Sequence, residues 1–153
     1  MRPSNSTNRQ GATAVEFAVV GPVAFFFLLA LFTGAMGIFR YQELASIARE
    51  ASRWASVHGY QYQQDTGNPA ATDQDVYNNI IAPNGVGLDL SQLSYSVTWN
   101  TDNRPYNTII VNNQWVPVRN TVTVTLTYQW IPEMYLGGYT LTSTSTQPVT
   151  EGR

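Results

Sequence analysis

The pattern of apolar and polar positions changes three times along the chain. From Phe17 to Phe39 there are 23 residues without a charge, and apolar side chains fall on every side of a helical wheel. A soluble helix of that length shows one apolar stripe and one polar face. At 1.5 Å rise per residue the run is roughly 35 Å long, enough to cross a ~30 Å hydrocarbon core. The pattern therefore predicts a membrane span rather than a buried core helix. Pro22 stands inside it and removes the hydrogen bond to the Ala18 carbonyl, a break that membrane surroundings tolerate. Gly34 and Gly37, with Ala30 one turn earlier, offer a small-residue face for close helix packing.

Past Phe39 the period stays helical but becomes one-sided. In "RYQELASIAREASRWASVHG" the set Leu44, Ile47, Ala48, Ala51, Trp54, Ala55 and His58 recurs at three- and four-residue steps. Glu43, Ser46, Arg49, Glu50 and Arg53 take the other side, and Gly59 is the expected stop. One helix from about Ala12 to His58 is predicted, and its second half needs a cover for its stripe. Gln61 to Ala71 is polar with Gly and Pro and reads as loop.

The third pattern alternates with a period of two. "TDQDVYNNIIA" opens with a capping-box spacing, Thr72 to Asp75, and predicts a short helix. "LSYSVTW" places Leu93, Tyr95, Val97 and Trp99 on one face. "TIIVNNQWVPV" predicts a hairpin turning at Asn112-Asn113, with Pro117 at an edge. In "TVTVTLTYQWI", Val122, Val124, Leu126, Tyr128 and Trp130 face one way and the threonines the other. "YTLTSTSTQPV" supplies a last, thinner strand. Such alternation describes an antiparallel sheet solvated on one side. The expected fold is α+β, with the long N-terminal helix packed on a three- or four-stranded antiparallel sheet in a pilin-like arrangement.

Composition narrows the function classes. The net charge is -2 and the sequence pI about 5.2, against the basic face that nucleic-acid binding requires. With no cysteine, neither a disulfide nor a thiolate metal site carries the fold. His58 is the lone histidine and reads as structural. Asp73 and Asp75 form a D-x-D, but no Gly and distal Glu complete a calcium loop, and both acids suit a helix start. No phosphate loop or nucleophile elbow occurs. Trp99, Trp115, Trp130, Tyr128, Tyr135 and Tyr139 invite comparison with a sugar platform, yet their strand positions predict core packing. No catalytic residue, metal or cofactor is expected, and the protein reads as a non-enzyme.

The remaining oddity is Glu16, a carboxylate at the border of the span. A cut between Gly11 and Ala12 would free an α-amino group, cationic at neutral pH, to pair with Glu16 of an adjacent copy. Glycine, four residues, then Glu16-Phe17 opening an apolar run resembles a type IV prepilin processing site. "GATAVEFAVVGP" followed by "AREASRWASV" is similar to the TadE-like proteins of the tight-adherence (Tad/Flp) pilus system. The strands "VTVTLTYQWIP…LGGYTLTSTSTQPV" resemble the end of that family's domain more loosely. The resemblance implies a minor pilin or pseudopilin, cut after Gly11 by a membrane aspartic prepilin peptidase and partnered by other pilin subunits in assembly and adhesion. By position it makes Gly11 and Ala12 the processing site, Glu16 the assembly charge, Phe17 its aromatic neighbour and Pro22 the family's proline. Gly21 departs from the large aliphatic residue usual there.

The implied organisation is a leader at 1–11, a transmembrane and assembly helix at 12–39, an amphipathic continuation at 40–59 and an extracytoplasmic β-rich domain at 60–153. Arg2 and Arg9 precede the span while Arg40, Arg49 and Arg53 follow it, so basic residues alone do not orient it. The short N-terminal flank favours a cytoplasmic N-terminus and a single pass through the inner membrane. Two other readings stay open at this point. One is an anchored ligand-binding domain that never assembles; the other is a secreted domain released by ordinary signal cleavage near Ala35.

Overall fold

A computed structural model of the chain describes residues 7–132 and 137–150. Arg2 and Tyr135 lie outside the described residues. Helix α1 spans Thr7–Val57, α2 Tyr60–Thr66 and α3 Asp73–Val76, which continues through a π-helical turn (Tyr77–Ile81) into α4 (Ala82–Asn84). Five strands follow: β1 Leu93–Trp99, β2 Tyr106–Val111, β3 Gln114–Arg119, β4 Thr121–Trp130 and β5 Tyr139–Pro148. The chain divides into two units between Ile38 and Phe39, each described by itself. This is the expected α+β fold, with the helix packed on a small antiparallel sheet.

In the first unit α1 is continuous across Pro22. Most of its apolar side chains are exposed: Phe17 is 76% exposed, Phe32 68% and Leu31 70%. Thr33, the hydroxyl within the run, donates to the Leu29 carbonyl at 2.9 Å and so needs no water.

In the second unit, the stripe predicted from three- and four-residue steps is the core. Leu44, Ile47, Ala48, Ala51 and Ala55 are buried against Val122, Val124, Leu126 and Tyr128 of β4. Burying a side chain such as Leu44 or Leu126 contributes about 1.5–3 kcal/mol. Val76 and Ile81 close the same cluster from the short helices, and Leu93, Tyr95, Val97 and Trp99 pack on it from β1. The sheet order is β1-β4-β5, antiparallel throughout, with Leu93 opposite Tyr128 and Thr121 opposite Pro148. Its core face alternates strictly with the threonine face, as the period of two requires.

Four details differ from expectation. The 61–71 segment is not all loop, because α2 occupies Tyr60–Thr66. Gln61 Nε2 donates to Asp65 Oδ1 at 3.1 Å, Thr66 Oγ1 donates to the Tyr62 carbonyl, and Gly67 at φ 74° stops the helix. Helix α1 ends at Val57, one residue short, and Gly59 caps α2 instead. A Cβ on Gly59 would stand 2.5 Å from the Asn103 carbonyl oxygen, whose backbone accepts from Tyr60 N at 2.9 Å. The hairpin turns at Asn112-Asn113 as predicted, with φ 51° and 63°, but β2 and β3 form a separate two-stranded sheet. Trp115 on that hairpin is 71% exposed and not in the core, since its sheet is separate from the one that α1 covers.

Two serines on the buried stripe were not foreseen. Ser52 and Ser56 donate to the Arg49 and Arg53 carbonyls one turn back, and Ser52 Oγ also lies 2.8 Å from Ser145 Oγ on β5. Their hydroxyls are satisfied internally, so a small side chain is buried without an orphaned polar atom.

Candidate functional site

The residues singled out for processing and assembly share one element, α1. Gly11 is exposed, and a Cβ built there meets nothing within 4 Å. Ala12 continues the helix; with Gly11 it places the Gly11–Ala12 peptide bond in helical backbone. Glu16 is exposed, and among the described residues no ion pair includes it. It stands one helical turn after Ala12, so the two positions share a helix face.

Phe17 is the next residue and projects its ring over Gly21, one turn on: a Cβ at Gly21 would sit 3.7 Å from the Phe17 ring. That is ordinary van der Waals contact, so the ring would also tolerate a small side chain at this position. Pro22 follows at once, where its missing N–H frees the Ala18 carbonyl. Ala30 and Gly34 lie one turn apart on the exposed face, and a Cβ on Gly34 meets nothing within 4 Å. Helix geometry thus brings Ala12 with Glu16, Phe17 with Gly21, and Ala30 with Gly34. It does not bring the processing end near the packing face.

Residues 11–53 match the family model described as TadE-like protein, starting on Gly11 and ending on Arg53. That segment is similar to the TadE-like proteins. It takes in Gly11, Ala12, Glu16, Phe17, Pro22, Ala30 and Gly34, and the match does not reach the C-terminal strands. No curated protein and no solved structure matches the chain. Within α1, the TadE-like segment carries the one helix among the described residues long and apolar enough to cross a membrane, with mean hydropathy 2.3 and none of the apolar window buried. That is compatible with a single-pass anchor.

The candidates for other chemistry are structurally committed. His58 Nδ1 lies 2.8 Å from the Trp54 carbonyl, and its ring stacks on Trp54 at 4.0 Å between centroids. Among the aromatics, Tyr128 is buried, Trp99 and Trp130 are half-buried against the core, and Tyr139 is exposed. Residues Ser46, Arg49, Glu50, Arg53, Trp54, Val57 and Ile80 line an open groove of about 630 Å³ on the helix side of the second unit. Sequence reading had placed its charged members on the solvated side without seeing the concavity, because Ile80 reaches it from a distant segment.

Asp75 belongs to the cap of α3 rather than to an open acid pair. Thr72 N and Oγ1 donate to its Oδ2 at 2.9 and 2.7 Å, while Asp75 N donates back to Thr72 Oγ1 at 3.2 Å. The Thr72 backbone bond first, then the hydroxyl bond, holds the Asp75 carboxyl below its usual value. A carboxyl lowered by folding stabilises fully above the unfolded pKa, and that contribution is lost as pH falls through the lowered value. Thr72→Ala is expected to lower stability by about 1 kcal/mol near neutral pH. The gap from the parent narrows in acid, read by urea unfolding at about pH 7 and about pH 3.

Proposed function

We propose that this chain is a minor pilin or pseudopilin of a Tad-type pilus system. The Phe17–Phe39 run anchors it once in the inner membrane with its N-terminus cytoplasmic. A prepilin peptidase cuts after Gly11, and the mature chain joins other pilin subunits in a fibre that serves adhesion. The role is structural, without catalysis or cofactor.

The observation that carries this reading is the family match that opens on Gly11 and encloses an exposed Glu16 at the foot of an uncharged run. A carboxylate deep in a span costs roughly 2.5–3.5 kcal/mol on insertion scales, less near the boundary, and is retained where a cation meets it. The Gly11–Ala12 bond supplies one by hydrolysis: the amide C–N bond breaks, water adds, and Ala12 leaves with a protonated α-amino group. Paired with Glu16 of a neighbouring copy, that ammonium fixes the stagger between subunits, as one buried polar group fixes register in a coiled coil. Gly11 also assists the cut, because glycine costs a helix about 1 kcal/mol relative to alanine and eases local unwinding at the bond.

Glu16→Ala separates assembly from processing. Among the described residues no ion pair includes Glu16, so the substitution is expected to leave folding intact. Cleavage is expected to continue while the protein drops out of the sheared fibre fraction and stays in the membrane. Equal recovery from fibres of parent and variant would remove the pairing role.

A further inference from the structure

The three-stranded sheet has two edge strands, β1 of seven residues and β5 of ten. The core-facing Tyr95 of β1 meets the short helices: its Oη donates to Gln74 Oε1 at 3.3 Å, and its ring stacks on Tyr77 at 4.7 Å. Among the described residues, strand β5 pairs with β4 alone. Among the described residues, no backbone hydrogen bond outside that ladder involves residues 140–148. Within residues 140–148, the half of the N–H and C=O groups that points away from β4 is therefore an open template among the described residues.

Natural edges are blunted by lysine, an interior proline or a bulge. Strand β5 has none of these. Its register with β4 runs unbroken from Tyr139 to Pro148, its proline is the terminal residue, and "YTLTSTSTQP" carries no charge. Its outer face is a row of threonines that already pair across to β4: Thr123 and Thr146 hydroxyls are 2.9 Å apart, Thr125 and Thr144 3.1 Å.

We propose that β5 is an interface between two copies of this chain, paired antiparallel about Ser143. That centre sets Thr142 opposite Thr144 and Thr140 opposite Thr146, repeating on the new seam the threonine pairs seen on the old one. On the core side it sets Leu141 opposite Ser145 and Ser143 opposite itself, with no clash of charge. Moving the centre to Thr144 would put Pro148 opposite Thr140, and an odd shift would turn threonines against core-facing residues. A second copy is the occupant that fits, because the strand offers an incoming partner no counter-charge and only threonine pairing, which β5 itself supplies. The contact is the same patch on both copies, so it closes at two and does not propagate. It follows from the sheet edge and is independent of cutting at Gly11.

A single strand pair buries less than the ~1,600 Å² of a standard interface, so the association is best read by trapping it. The chain has no cysteine, which makes Thr142→Cys and Thr144→Cys unique thiols in the full-length membrane-extracted protein. Both sites are exposed, and each variant should keep the parental unfolding midpoint. Disulfides require Cα atoms within about 7 Å, so oxidising the two variants together should give a linked dimer several-fold above either alone. Thr98→Cys, on the same hydroxyl face but at β1, should remain monomeric alone and in mixtures. No dimer from the mixed variants, or as much from Thr98→Cys, overturns the proposal.

Discussion

Gly11→Trp should leave the protein uncut in cells that carry the prepilin peptidase. Its mass should stay that of the unprocessed chain, while the parent runs shorter. The expectation is all-or-none because the residue before the scissile bond must enter the peptidase, and the chain itself does not object to a side chain there: a Cβ at Gly11 meets nothing within 4 Å. Any loss of processing then reports on recognition by the peptidase and not on misfolding. Gly11→Ala is the graded control, small enough to be cut though less willing to unwind by about 1 kcal/mol. A tryptophan variant processed as well as the parent would contradict the assignment of Gly11.

The largest stability effect should come from Leu126→Ala. Leu126 is fully buried at the centre of β4, beneath the α1 stripe, with Tyr95 and Ser143 as its cross-strand neighbours. Removing its branched end leaves a cavity between a helix and a sheet that cannot both close in, at a cost of about 2–5 kcal/mol. Fluorescence-detected urea unfolding, with Trp99 and Trp130 packed on the same core, reads the change directly. A loss under about 1 kcal/mol would mean that α1 does not cover the sheet as described.

Periodicity made much of this fold legible. The steps from Leu44 to Ala55 marked a stripe that turned out to be the buried face, and the alternation through 121–130 located the central strand. Asn112-Asn113 was readable because a two-residue turn with positive φ at both positions favours asparagine. What escaped was set by contacts distant in sequence. Helix α2 is polar, with no apolar period to announce it, and its first residue is held from a distance by Tyr60 N on the Asn103 carbonyl. The alternation around Trp115 specified a strand but not which sheet would receive it, so its exposure was invisible. Ser52 and Ser56 looked polar until their hydroxyls were seen bonded to the preceding turn.

The candidate site divides in the same way. Gly11, Glu16, Phe17 and Pro22 are local features of one helix, and the resemblance to the TadE-like proteins singled them out by position. The groove bounded by Arg49, Arg53 and Ile80, and the open edge of β5, exist only once segments far apart in the chain have come together.

The central claim is that a positive partner for Glu16 is made by hydrolysis five positions upstream. The most direct measurement is the mass of the N-terminal peptide of the protein extracted from cells producing the fibre. A peptide beginning at Ala12 with a free α-amino group is the predicted result. A peptide that still contains Gly11 and the residues before it would contradict the account.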